Sequence, residues 1–296
     1  MSIVSYAQNF EDVMLWRALS DVVQGSYIDI GAQHPIVDSV SKAFYDQGWR
    51  GIHVEPTMEY ANLLRSERPD ETVVQAVVAE NSGVMKFYDI EGTGLSTARQ
   101  DIAEDHRSKL NFPIRETLVM AISLDDLLNL ESKNDVHWLK VDVEGFERQV
   151  FAGWINSPKR PWVIVVEATY PNTQTDTSEE WEDLVLDKGY RLVYGDGLNK
   201  FYLYNGHVDR ASAFNFPPNY FDHFQMSGRT HITNALVQRH REELTELKAK
   251  IDISDKLQTQ NEIAMSSLVQ EIGNLQSTLQ NSKLEITERE RLQHEA

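Results

Sequence analysis

Between residues 27 and 90 the chain repeats one pattern: a short apolar run, a carboxylate or glycine where the run stops, then a segment at helical spacing. Residues 27–31, 51–55, 72–79 and 84–90 read as strands, and 40–47 and 57–66 as the helices between them. Asp38 or Ser39 is placed to cap the first of these helices and Gly48 to close it. Strands that alternate with helices of this length build a parallel sheet with helices against it. The pattern therefore restricts this part of the chain to an α/β, doubly wound, mostly parallel architecture.

The flanking segments extend the same alternation. Residues 2–24 read as a lead-in loop and a helix, with Phe10, Val13, Met14 and Ala18 at helical spacing and Glu11 and Asp12 in the first turn, where they suit the helix dipole. Residues 92–116 are polar and irregular, opening with Gly92-Thr93-Gly94-Leu95-Ser96-Thr97. A loop of that length in a compact domain is functional or mobile. Ser123 caps a helix that starts at Leu124. A strand at 138–143, a helix at 147–152, a strand at 162–166 ending on Glu167 and a helix at 179–188 follow, and then an antiparallel pair at 190–194 and 201–204. Residues 214–224, aromatic and proline-containing, read as a strap packed over the domain.

After about residue 230 proline and aromatic residues vanish, and Glu, Gln, Lys, Leu and Ser dominate. A heptad frame runs through Leu244, Leu247, Ile251, Ser254, Gln258, Asn261, Met265, Leu268, Ile272, Leu275, Leu279, Ser282 and Ile286. Steps of three and four keep these on one seam, the mark of a coiled coil. An isolated helix this long with so few apolar residues is marginal in water, so a homo-oligomer is expected, without a choice between dimer and trimer. The chain thus divides into a domain at 1–226 and an oligomerisation helix at 232–296.

Charge narrows the partners. The formal net charge is -18, from 46 acidic and 28 basic residues, which argues against nucleic acid and against anionic lipid as a partner. With no cysteine, disulfides and thiolate metal sites are excluded. No signal peptide and no transmembrane segment is expected. The expected location is the cytoplasm, with recruitment to the inner face of the membrane through a partner.

Four of the apolar runs end in acid: Asp29, Glu55, Asp142 and Glu167. Carboxyl ends of parallel strands share one edge, where ligands bind in open α/β sheets. Glu55, on the second strand, is placed to accept both hydroxyls of a ribose. Asp29 and Gly31 would line the amino-acid or phosphate end of a nucleoside ligand. Gly31 is followed by Ala32 and Gln33, so the glycine fingerprint of dinucleotide sites is missing and a nicotinamide oxidoreductase is disfavoured. Asp142, Glu144 and Glu167 remain for chemistry. Crowded carboxylates raise one another's proton affinity, which suits a general base, or they hold a divalent metal.

Three stretches resemble the FkbM-type methyltransferases, a class I family that uses S-adenosylmethionine. They are 27–35 with Val54-Glu55-Pro56, then Ser123-Leu124-Asp125-Asp126-Leu127, and most specifically Leu139-Lys140-Val141-Asp142-Val143-Glu144-Gly145-Phe146-Glu147. Tyr6-Ala7-Gln8-Asn9-Phe10-Glu11-Asp12 is similar to the family's lead-in, usually of a Ser-Gln-x-x-Gln-Asp type. The likeness covers about residues 5–205 and excludes the tail. Gln33-His34-Pro35 replaces the family's commoner Asn-x-Gly. The resemblance implies O-methylation of a sugar hydroxyl on a glycan acceptor. It implies cofactor contacts from Gln8, Asp29, Gly31, Ser39, Glu55 and Val77, and catalytic roles among Asp142, Glu144, Glu167 and His34, with divalent metal use open. The segment 92–97 would close over the cofactor, and Asp196, Asn199 and Lys200 would contact the acceptor or hold a turn. A polysaccharide-assembly glycosyltransferase is the expected partner of the rod, with methylation capping chain growth. The competing reading is a non-catalytic scaffold, a degenerate methyltransferase domain carried on the rod.

Overall fold

The computed structural model describes residues 3–90, 92–131 and 135–294. It is mixed α/β, and it falls into two compact units, Met1–Asn234 and Ala235–Ala296. The elements in chain order are β1 (Val4–Ser5), α1 (Glu11–Leu19), β2 (Ser26–Ile30), α2 (Val40–Asp46), β3 (Arg50–Val54), α3 (Met58–Glu67), β4 (Thr72–Val74), β5 (Val77–Ala79) and β6 (Gly83–Asp89). There follow α4 (Gln100–Leu110), β7 (Arg115–Ser123), α5 (Leu124–Leu130), β8 (Trp138–Val141), α6 (Glu147–Ala152), β9 (Val163–Glu167), α7 (Glu182–Leu186), β10 (Tyr190–Gly195), β11 (Asn199–Tyr204), β12 (Gln225–Met226) and α8 (His231–His294).

The main sheet has seven strands in the order β10-β11-β9-β8-β2-β3-β4. The five from β9 to β4 are parallel to one another, while β11 and β10 run antiparallel at one edge. Side chains alternate faces along each strand, and both faces are covered. Tyr27, Trp138, Val165 and Phe201 pack with Met14 and Leu15 of α1 and Phe44 of α2. Ile28, Ile52, Leu139 and Ile164 pack with Leu124 and Leu127 of α5, Phe151 of α6 and Val185 of α7. Strands buried on both sides must be apolar at consecutive positions, which is why they read so plainly in the sequence.

Several features differ from the sequence expectation, among them that neither Asp38 nor Ser39 caps α2 with its side chain, Asp38 accepting from His231 instead. The apolar run 72–79 is two strands, not one. Its first part pairs with β3 and its second with β7, in a separate three-stranded sheet ordered β5-β7-β6. The segment 92–116 is only partly irregular, since it contains α4 and the start of β7. The helix expected at 179–188 is shorter, entered through a 3-10 turn at Ser178–Glu180. The cap at Ser123 forms as expected, its Oγ accepting from the Asp126 N–H at 3.1 Å. Of the expected strap at 214–224, Phe214 is buried but Phe216, Tyr220 and Phe221 are exposed, so it is packed only in part; beyond it β12 pairs with β1.

In the second unit the apolar side chains at the heptad positions, from Leu244 and Leu247 to Leu279 and Ile286, are exposed. Among the described residues no helix is long and apolar enough to cross a membrane.

Candidate active site

The register of the parallel strands builds the site. Ile30 pairs with Val54 of β3 on one side and Val141 of β8 on the other, and Val141 pairs with Val166 of β9. The next residues are Gly31, Glu55, Asp142 and Glu167, side by side at one sheet edge across about three strand spacings, roughly 14 Å. Two residues back on the same face, Asp29 pairs with His53 on one side and Lys140 on the other. Three of the strand-end acids, Glu55, Asp142 and Glu167, therefore stand in one row with Gly31, and Asp29 lies two residues behind it.

That row borders a cavity of about 750 Å³, well within the range of small-molecule sites. Of the residues named from the sequence as cofactor contacts, Gln8, Asp29, Gly31, Ser39, Glu55 and Val77 all line it, and so do Asp142, Glu144 and Glu167. Gly31 makes the close approach possible. It has φ +79°, its N–H donates to the Val54 carbonyl at 2.9 Å, and a Cβ there would lie 1.7 Å from the Asp142 carbonyl oxygen. Only glycine combines that backbone conformation with that contact.

Glu55 is 4% exposed. Its Oε1 accepts from the Thr57 N–H at 2.8 Å and the Thr57 hydroxyl at 2.6 Å, and its Oε2 from the Gln33 N–H at 3.0 Å. Each carboxylate oxygen has two acceptor positions, so Oε2 keeps one for a ligand hydroxyl while Oε1 is filled as long as Thr57 stays. The Ser39 hydroxyl is likewise engaged, accepting from Arg68 at 2.9 Å.

Asp142, Glu144 and Glu167 each offer a carboxylate oxygen within 4.8 Å of the others. Lys140, on the strand beneath them, sets their charges. It is 8% exposed and its Nζ lies 2.6 Å from Asp142 Oδ2. Burial by itself would lower its pKa, but Asp142, then Asp29 and Glu11, hold it above the ordinary lysine value. Burial pushes the Asp142 carboxyl up, yet Lys140 and a hydrogen bond with Glu167 outweigh it, and Asp142 ends below the usual range. Glu167 is pushed up to about 12 by burial, by Asp142 and by their shared hydrogen bond. Glu144 is raised by burial, then Asp142 and Glu147. The cluster therefore holds an ionised Asp142 beside a protonated Glu167. The same three oxygens have the hard-ligand chemistry of a divalent-cation site, with one Asp142 oxygen already taken by Lys140.

The segment 92–97 reaches this cluster. Thr97 exchanges both backbone hydrogen bonds with Tyr88, and its hydroxyl donates to the Glu144 carbonyl at 3.0 Å. Thr93, Gly94, Leu95 and Ser96 line the cavity. Glu144 has φ +53°, a left-handed conformation rare outside glycine, and here it sits between the strand end and Gly145.

His34 is not among the cavity-lining residues. Its Nδ1 accepts from the N–H groups of Ile36 and Val37, both at 3.0 Å, and its ring meets Tyr60 edge-on. Burial holds its pKa down. It ties the turn around Pro35. Asp196, Asn199 and Lys200 are also engaged within the protein. Asp196 accepts from the N–H groups of Leu198 and Asn199, Asn199 Nδ2 donates to Glu11 Oε1 at 2.9 Å, and Lys200 pairs with Asp176 at 2.9 Å.

Sequence reasoning missed two groups at the centre. Glu11 is buried and lines the cavity. A first-turn acid looks like an ordinary response to the helix dipole, and only its burial distinguishes it. Lys140 did carry a signal: it is the lone cation in a buried apolar strand, and such a charge needs a partner.

An acidic strand-end row, a glycine at the close approach and a cavity across the parallel edge make up a ligand site of the kind found in open α/β sheets. A comparison with known families matches residues 29–192 to the methyltransferase FkbM domain. The matched segment is more than half of the chain, and the protein belongs to that family of methyltransferases. No curated protein matches the sequence.

Proposed function

We propose that the protein is an S-adenosylmethionine-dependent O-methyltransferase acting on a sugar hydroxyl of a glycan, on a doubly wound class I fold. One observation carries the reading: Asp29, Glu55, Asp142 and Glu167, distant in sequence, border one 750 Å³ cavity in which Asp142 is held ionised. The donor set fits the cofactor. A row of carboxylates complements a cation, Gly31 lets the ligand approach the backbone, and Glu55 Oε2 has an acceptor position for a ribose hydroxyl.

S-adenosylmethionine supplies an electrophilic methyl on a sulfonium. An alcohol is a weak nucleophile at neutral pH, so its proton must be taken as the new C–O bond forms. Asp142 takes that proton, Lys140 keeps Asp142 ionised until then, and protonated Glu167 orients it through their hydrogen bond. Where a divalent cation is used, Asp142, Glu144 and Glu167 would hold it and it would acidify the hydroxyl. The segment 92–97 covers the reacting end and excludes water.

The exposed apolar seam of α8 supports a second role, assembly with further copies of this chain. The rod then spaces the enzyme from a polysaccharide-assembly glycosyltransferase at the cytoplasmic face of the membrane, and methylation of a terminal hydroxyl stops chain growth.

The test is a labelled-methyl transfer assay against a panel of glycans, with and without chelator. Asp142→Asn is expected to bind cofactor normally while losing about 100-fold or more in kcat, the usual worth of a positioned base. Turnover at the wild-type rate in that variant would remove Asp142 from the chemistry.

A further inference from the structure

Resting on the methyltransferase reading above, we propose that this site takes an uncharged, hydroxyl-rich acceptor and rejects sugar acids and sugar phosphates.

The centre of the cavity is lined by Glu11, Asp29, Asp142, Glu144 and Glu167. Among the described lining residues the basic ones are Lys140 and His231, and each already faces a carboxylate, Asp142 and Asp38 respectively. A sulfonium cofactor suits this acid-rich lining. An anionic acceptor beside it would find Lys140 and His231 already engaged, and no other cation among the described lining residues.

Beyond Glu167 the lining changes character. Thr169, Asn172, Thr173 and Gln174 border the cavity there, a set of amides and hydroxyls that both donate and accept, as sugar hydroxyls do. Their loop is built rather than loose. The Tyr170 N–H donates to the Thr175 carbonyl at 2.8 Å, the Thr173 N–H to the Tyr170 carbonyl at 2.9 Å, and Thr169 bridges to Asp176. The cations near this end are committed elsewhere. Arg99 pairs with Asp101 at 2.5 Å and with Glu180 at 3.6 Å, and Lys200 pairs with Asp176 at 2.9 Å. A carboxylate or phosphate recognition site uses an arginine fork or a lysine aimed into the cavity, and the acceptor end is instead furnished with neutral groups.

The experiment uses the full chain and methyl-labelled S-adenosylmethionine with matched acceptor trios. Each trio is a methyl hexoside, its uronic acid and its 6-phosphate, in the gluco, galacto and manno series, with cofactor binding followed by calorimetry in the same samples. Transfer is expected to the neutral member of a trio, with kcat/KM at least about tenfold above both charged members and the gap narrowing at roughly 0.5 M salt, where charges are screened. A uronic acid or phosphate methylated as well as its neutral counterpart, or better, overturns the proposal and leaves the methyltransferase reading standing. Cofactor binding without transfer to any trio removes the sugar acceptor and this proposal with it, and absence of cofactor binding removes the methyltransferase reading itself.

Discussion

Gly31 and Lys140 show how much of the site depends on single side chains, one absent and one out of place. At Gly31 the smallest possible addition collides with backbone, because the Asp142 carbonyl cannot move without displacing the strand end that carries the cluster. Gly31→Ala is expected to lose about 3 kcal/mol of stability from the left-handed backbone and the overlap together. It should also abolish cofactor binding, as read by denaturant unfolding and calorimetry. Unchanged unfolding would mean that the edge of β2 yields more easily than its packing implies. At Lys140 the ammonium is buried among acids. Lys140→Met would leave Asp142 beside Glu144 and Glu167 without a counter-charge, so the pKa of Asp142 rises and the acid limb of the pH–rate profile moves to higher pH. A merely structural lysine would leave that limb where it is.

At the scale of elements, the sheet edge and α8 obey different rules. The five parallel strands are covered on both faces, so their side chains have few alternatives, and the acids stand where the strands end at the cavity. In α8 the heptad side chains have nothing against them within its own unit. An exposed apolar seam of this length is expected to associate. Leu268→Ser with Leu275→Ser, two positions on the seam, should reduce the oligomer to monomer in sedimentation or light scattering, and the helical signal of the tail should fall with it, since an isolated helix is marginal. A monomeric wild type would remove the oligomerisation proposal.

For the whole molecule, buried acids dominate the pH response. Burial raises Glu11 to about 7, and burial also raises Glu147 to about 7. In the unfolded chain both would titrate near the ordinary glutamate value, about 4.3. Between those limits the folded state binds more protons than the unfolded one, so stability falls as pH rises through about 4.5 to 7, by roughly 1 kcal/mol per pH unit for each group. Carboxyls held low, such as Glu71, which is engaged by His53 and Tyr27 against the opposing effect of burial, oppose this only at more acidic pH. The thermal midpoint is therefore expected to be higher at pH 5.5 than at pH 8, and Glu11→Gln should flatten that slope. A midpoint that climbs steadily from pH 5.5 to 8 would contradict the burial of these two acids.

Much of the main sheet was legible because a strand buried on both faces must be continuously apolar, and an acid interrupts such a run visibly. That is how Asp29, Glu55, Asp142 and Glu167 were found. The division of 72–79 was not legible: every residue there suits a strand, and which sheet each half joins depends on partners far away. The helix α4 buries only Ile102, Ala103 and His106, too thin a stripe to show a period. Glu11 and the loop from Asn172 to Gln174 carry no local mark of their position at the cavity.

The sequence by itself determined the local choices: strand or helix, where a glycine must stand, which runs end in a carboxylate, and where an apolar seam repeats every seven residues. These follow from side-chain period and backbone sterics within a few residues. Only the tertiary structure decided which of those groups share a cavity, that Glu11 meets Asn199 from 188 residues away, that His34 turns to its own loop, and that Asp142 rather than Glu167 carries the charge. Burial and Coulomb interaction depend on distance through space, and a linear chain does not contain that distance until it folds.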